Sequence, residues 1–193
     1  ALVKDLAIAV VDGSRGLGNG LVIPAGPLRA PLDFQLELTD AVVVNEGAVA
    51  AGTVTDWLRR RFAGPVLRAS VVAAATVDWL RSARVVAWAG IGAPQRFFTT
   101  LRALGADLAE AVAFRDHQQL GDDDARRLLD LARRHGARLV TTEKDMVRLA
   151  GATGVCAALA RDSTALPVRL ALEEADAERL LSLSLAALEA PRG

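Results

Sequence analysis

The densest chemistry in the chain lies near its amino end. There Asp12-Gly13-Ser14-Arg15-Gly16-Leu17-Gly18-Asn19-Gly20 interleaves four glycines with an acid, a base and an amide. Glycine adopts positive φ without strain and lets backbone N–H groups approach a ligand closely, so this spacing suits a polar or phosphorylated substrate. An arginine fork grips a phosphate through two donors, and an asparagine offers both a donor and an acceptor. Arg15 and Asn19 are therefore candidate substrate-binding residues. Asp12 ends an apolar run in the manner of a metal-binding carboxylate; touching substrate and shaping the loop are its other readings. A second polar stretch, 115–120, contains His117 beside Asp116; the imidazole's ordinary pKa suits proton transfer, and a loop histidine that only hydrogen-bonds locally is the simpler reading of the residue by itself. A third, Thr141-Thr142-Glu143-Lys144-Asp145, puts Lys144 where its point charge can meet a nucleotide or phosphate. Helix capping by Thr or Glu explains the same residues more simply.

Each of these stretches follows an apolar run, so strands must deliver them. Residues 6–11 and 41–44 read as buried strands, with a short helix or turn over 33–40 and a short helix over 54–62 ended by Gly64-Pro65. Residues 71–80 are rich in Val and Ala, and periodicity alone leaves strand and helix open there. From residue 85 strands alternate with helices. Strand 85–89 is followed by helix 94–104, begun by Pro94 and closed by Gly105. Strand 108–114 leads to a helix that starts among Asp122, Asp123 and Asp124 and runs to about His135. Strand 138–141 is followed by a helix near Lys144-Asp145, then a last strand at 168–172 and a capping helix or helix pair over 173–190. Such alternation implies an α/β protein with a mostly parallel sheet. Phe97, Phe98, Leu101 and Leu104 share one helical face and read as core. Trp57, Trp79 and Trp88 are candidate anchors of a junction between lobes.

Composition narrows the function classes. With 52% hydrophobic and 24% charged residues, the chain has the make-up of a folded domain. Lys+Arg and Asp+Glu are equal at 23 each, and no basic stripe with interleaved aromatics occurs, so nucleic acid is disfavoured as a partner. The single Cys156 allows no internal disulfide. Gly90-Ile91-Gly92 lacks the third glycine of a dinucleotide fingerprint.

Four ordered segments carry a family resemblance. The run VVDGSRGLGNGLVIPAGPLRAPL followed by DAVVVN, then AWAGIGAPQRFFTTLRALG (87–105), FRDHQQL (114–120) and LVTTEKDMVRL (139–149), closely resembles the tetraacyldisaccharide 4'-kinase family of lipid A biosynthesis. Its members carry D-G-x-R-G-[FL]-G-N-G and P-A-G-P-[LM]-R-E at this spacing. The resemblance implies an ATP-dependent transferase that phosphorylates the 4'-hydroxyl of tetraacyldisaccharide 1-phosphate at the cytoplasmic face of the bacterial inner membrane. Its partners would be ATP, the lipid disaccharide phosphate and the membrane surface. The implied fold is a partial P-loop-kinase-like sheet lobe (1–64), joined by a two-stranded linker (65–84) to a smaller three-layer α/β C-terminal domain (85–193). The G-x-x-x-x-G-K-[ST] loop and the D-D-G-x-Q-H stretch of such enzymes do not occur in this sequence. The sites for ATP and Mg²⁺ are thus expected mainly in an N-terminal half, with no metal ligand here, and this chain is expected to be a C-terminal portion inactive by itself.

The resemblance also assigns roles. His117 carries over as the catalytic histidine, helping to remove the proton from the sugar hydroxyl together with an aspartate near the P-loop. Arg29 carries over from the P-L-R-E motif as a residue that neutralises phosphate charge. The family's next residue, a glutamate, is Ala30 here. A non-catalytic phosphosugar-lipid-binding module is the alternative function.

Overall fold

The computed structural model describes residues 4–46, 52–116 and 118–189. In chain order the elements are β1 (Ile8–Asp12), α1 (Leu32–Glu37), β2 (Ala41–Asn45), α2 (Gly52–Arg61), β3 (Val66–Ala73), a 3-10 turn (Asp78–Leu80), β4 (Arg84–Ala89), α3 (Pro94–Ala103), β5 (Asp107–Ala113), α4 (Asp122–His135), β6 (Arg138–Thr142), α5 (Glu143–Arg148), α6 (Gly154–Asp162), β7 (Ser163–Leu166), β8 (Val168–Leu172) and α7 (Glu174–Glu189). They form two units: one comprises the chain up to Val71 and from Leu170 onward, the other Val72–Arg169. No helix among the described residues is long and apolar enough to cross a membrane.

In the first unit β1, β2 and β3 pair in parallel, and the sheet order is β1-β2-β3-β8. The run Ala41-Val42-Val43-Val44 is unbroken because β2 is an interior strand covered on both faces, as parallel sheets require. Successive side chains alternate between the faces. Val42 and Val44 pack with Val11, Leu58 and Phe62, while Val43 packs with Leu67 and Ala69 against Leu172 and Leu180. On β1 only the inner face is so covered: Val11 is buried, but Val10 is 66% exposed.

The second unit has the all-parallel order β5-β4-β6-β7. Because β5 and β6 flank β4 on opposite sides, right-handed crossovers place α3 on one face and α4 on the other. The central strand shows it. Val85, Ala87 and Ala89 meet Phe97, Phe98 and Leu101, and Val86 and Trp88 meet Ala125, Leu128 and Leu159. Trp88 is wholly buried, donates Nε1–H to Ser163 Oγ (3.2 Å) and stands edge-on to Phe114. Helix α4 is bounded as its sequence indicates, with three acids in the first turn and Gly136 in the left-handed region at φ 56°.

The compact units divide the chain differently from 1–64, 65–84 and 85–193. The stretch expected to be a linker contributes β3, a paired member of the first sheet, and α7 packs with that same sheet rather than with the second. Residues 71–80 are the end of β3 and a 3-10 turn, not a helix. Two elements that the sequence did not reveal, α6 and β7, fill 154–166.

Candidate functional site

The loop after β1 is a chain of turns. Arg15 and Gly16 N–H donate to the Asp12 carbonyl, Gly18 N–H to Arg15 and Gly20 N–H to Leu17, while Gly13 N–H reaches the Asn45 carbonyl. Gly16, Gly18 and Gly20 all take positive φ (57°, 63° and 72°), which explains a glycine at every second position. The Asp12 carboxylate turns into this loop, where Oδ1 accepts from Ser14 N–H (2.9 Å), Ser14 Oγ (2.8 Å) and Arg15 N–H (3.2 Å). Asn19 works similarly: Nδ2 donates to the Ala25 carbonyl (2.8 Å) and Oδ1 accepts from Leu21 N–H (3.1 Å), clasping the Pro-Ala-Gly-Pro segment. Gly26 is obligatory there, since a Cβ would collide with Asn19 Oδ1 and the Leu21 carbonyl.

A cavity of about 790 Å³ opens beneath this loop, lined by residues 13–22, the start of α1 and Thr53, Val54, Trp57 and Arg61 of α2. Its wall is mixed: Leu17, Leu21, Val22 and Val54 are apolar, and Arg15, Asn19 and Arg61 are polar. Asp33 fixes Arg61 through two bonds, from Nε (3.0 Å) and Nη2 (3.2 Å), and the guanidinium lies over the Trp57 ring, 5.5 Å from its centroid. The cavity's size lies in the range of small-molecule sites.

At the far end of β2, Glu46 accepts from Arg68 Nε (3.0 Å) and Nη2 (2.8 Å) and from Thr55 Oγ1 (3.0 Å). The Arg68 bonds hold its carboxyl below the usual carboxylate range against the opposing effect of burial, with Thr55 adding to the lowering. Arg68 N–H also donates to Asp176 Oδ2 of α7 (2.7 Å), so the group ties α2, β2, β3 and α7 together.

The second unit gathers a charged cluster at the carboxyl ends of β4, β5 and β6. In a doubly wound sheet this is the switch point, where ligands bind. Thr142 caps α5, accepting from Asp145 N–H (3.1 Å) and donating its hydroxyl to Asp145 Oδ2 (2.7 Å). Asp145 is fully buried and also receives Gly90 N–H (3.1 Å) and Arg148 Nη1 (2.9 Å). Asp116 Oδ1 lies 3.8 Å from Arg148 Nη2 and 4.0 Å from Lys144 Nζ.

The structure thus brings Arg15 and Asn19 to one cavity, and Asp12 to the foot of its loop. It turns the polar atoms of Asp12 and Asn19 on the loop itself. Arg29 is exposed and outside the cavity wall, and Lys144 belongs to the switch-point cluster of the other unit. His117 lies outside the described residues. The three tryptophans each sit inside a unit: Trp57 at the cavity, Trp79 against Arg138, and Trp88 in the second core. Sequence reasoning passed over Arg61, Asp145 and Arg148. The Thr142-to-Asp145 spacing, a capping-box pattern, was the available signal for Asp145.

The glycine loop does not fit a nucleoside triphosphate. The amides of Gly13, Ser14, Arg15, Gly16, Gly18, Gly20 and Leu21 already donate within the protein, so they cannot array around a triphosphate. No grouping of three His, Cys, Asp or Glu side chains suited to a metal occurs among the described residues.

Parallel strands with helices between them and polar loops at their carboxyl ends define an α/β protein. The chain belongs to the tetraacyldisaccharide-1-P 4'-kinase family, whose model matches residues 1–186. It is 47% identical over 175 residues to a tetraacyldisaccharide 4'-kinase of Rhodopseudomonas palustris, covering 90% of this chain and 51% of that protein. It is 48% identical over 181 residues to the one from Methylorubrum extorquens, covering 93% and 52%. The fold is similar to that of LpxK from Aquifex aeolicus in its "apo" form in complex with ATP (TM-score 0.60, 24% identity, 96% of this chain and 53% of that one). The chain therefore spans about half the length of these relatives.

Proposed function

We propose that this chain is the acceptor-side half of an ATP-dependent kinase that phosphorylates the 4'-hydroxyl of tetraacyldisaccharide 1-phosphate in lipid A biosynthesis. The observation that carries the reading is the cavity under the glycine loop, where Arg15 and Arg61 stand beside Leu17, Leu21, Val54 and Trp57. A phosphorylated sugar bearing acyl chains needs cationic donors and apolar wall within one site. Arg15 meets the phosphate, and the loop, rigid through its own turns, excludes water from the sugar face. Arg29 adds positive charge near the same segment.

ATP with Mg²⁺ would supply the phosphoryl group and leave as ADP, and the residues of this chain would present the acceptor to it. His117 accepts the proton of the 4'-hydroxyl as the new bond forms. The enzyme works peripherally at the cytoplasmic face of the inner membrane, where its substrate resides. Exposed Leu21 and Ile23 beside the cavity suit that surface. In a second reading the chain binds the phosphosugar lipid without catalysis; the inward donation of the loop amides favours this reading, because it leaves recognition to side chains.

Phosphotransfer separates the two. Alone, the chain should give no product from ATP and acceptor; mixed with a separately made nucleotide-binding half, it should phosphorylate the acceptor. His117→Ala should slow that reaction about 10²- to 10⁴-fold, the range of a lost general base. Acceptor binding without transfer in the mixture would establish the binding module instead.

A further inference from the structure

Helix α2 is oriented by its buried side. Leu58 and Phe62 lie in the first core and fix its rotation, so Trp57 and Arg61, one turn apart on the neighbouring side, line the cavity. The Arg61 guanidinium lies over the Trp57 ring and is held at one edge by Asp33 of α1, through Nε and Nη2; its Nη1 takes no part in that pair. Asp33 spends one lone pair of each oxygen on Arg61, and a carboxylate oxygen carries two. Both side chains stay open to solvent, Arg61 at 48% and Asp33 at 68%. The pair thus sets acceptors and donors beside each other on the cavity wall, with formal charges that cancel.

Two effects compete at such a pair. An arginine by itself draws a phosphate by charge, but a carboxylate 3.0 Å away offsets that pull and repels the anion. The same pair suits an uncharged hydroxyl, because bonds to charged partners are the stronger kind. We propose that Asp33 and Arg61 are specificity-determining residues that read a hydroxyl of the acceptor's sugar, apart from the phosphate contact at Arg15. The hydroxyl donates to an Asp33 oxygen and accepts from Arg61 Nη1, and Trp57 backs the guanidinium so that its direction is kept. The cavity then tells a sugar lipid from other lipids that carry a phosphate and acyl chains, a distinction that Arg15 and the apolar wall do not make. The proposal rests on the reading of this cavity as the acceptor site.

Two lipids separate the contacts. Tetraacyldisaccharide 1-phosphate and phosphatidic acid, which has a phosphate and acyl chains but no sugar, are titrated in the same detergent into the full chain and its variants. The parent should prefer the disaccharide. The double variant Asp33→Ala/Arg61→Ala removes the pair without changing net charge, and it should cut that preference about 10- to 100-fold by weakening the disaccharide only. Asp33→Asn keeps the shape at α1 and should show the same effect if the double variant does not fold. Arg15→Ala should weaken both lipids and keep the preference. A parent that binds the two lipids equally, or pair variants that weaken both alike or neither, overturn the proposal; the cavity reading stands as long as Arg15→Ala weakens both. If Arg15→Ala weakens neither lipid, the cavity is not the acceptor site and the reading beneath the proposal falls with it.

Discussion

The glycine loop after β1 and Asp116 after β5 both follow the carboxyl end of a parallel strand, but different forces hold them. The first is closed by hydrogen bonds within its own sequence, Asp12 to Ser14 and Asn19 to Ala25. The second leans on Arg148 and Lys144, brought from about 30 residues further along the chain by the return of β6 beside β4. A loop closed by its own short-range bonds keeps a shape, as a site that must fit a substrate requires. A charged cluster with a buried anchor keeps a direction.

The difference should be plain in mutants. Asp145→Ala strips a fully buried carboxylate from Arg148, Thr142 and the Gly90 amide. Breaking a buried pair from one side costs about 3–5 kcal/mol, to be read as a lowered urea midpoint. Gly26→Ala in the other loop forces Asn19 and the Leu21 carbonyl apart at a cost of about 1–3 kcal/mol, the range of an overpacked site. That loss should be confined to faster amide exchange in the loop, with the Trp88 core unaffected. Asn19→Ala removes two bonds from an exposed segment and should cost about 1 kcal/mol, seen first as faster exchange at Leu21 N–H.

Glu46 sharpens the contrast from outside both loops. Its folded pKa lies below its unfolded one, so its contribution to stability is complete above the ordinary carboxylate range and fades as pH falls through the lowered value. Glu46→Gln should therefore lower stability near neutrality and flatten its decline in acid, measured as urea midpoints at successive pH values. A variant as acid-sensitive as the parent would remove Glu46 from that role.

What was legible in the sequence follows the same line. The glycine loop could be recognised because its spacing and its hydrogen bonds lie within one short segment. Helix α4 could be bounded because acids, an amphipathic face and Gly136 sit at fixed offsets. Residues 154–166 hid α6 and β7 because Val-Cys-Ala-Ala-Leu-Ala carries little periodicity and β7 is only four residues long. Shaping the loop was among the sequence readings of Asp12, whereas the inward direction of Asn19, which bonds the backbone two residues on as Asx side chains do, went unread. Asp145 looked like one more acid in a helix's first turn, and only the pairing of β6 beside β4 brings it to Gly90. The division into units escaped for a similar reason: α7 returns to the first sheet through Leu180 on Val43 and Leu67, a contact across more than a hundred residues.

The claim on which the functional account stands is that the cavity beneath the glycine loop receives the acceptor's phosphate through Arg15. Titrating tetraacyldisaccharide 1-phosphate into the full chain and into Arg15→Ala tests it directly. Loss of one charged hydrogen-bonding partner should weaken binding roughly 10- to 100-fold, with the melting temperature unchanged. Equal affinity in the two proteins would contradict the claim and move the acceptor site elsewhere.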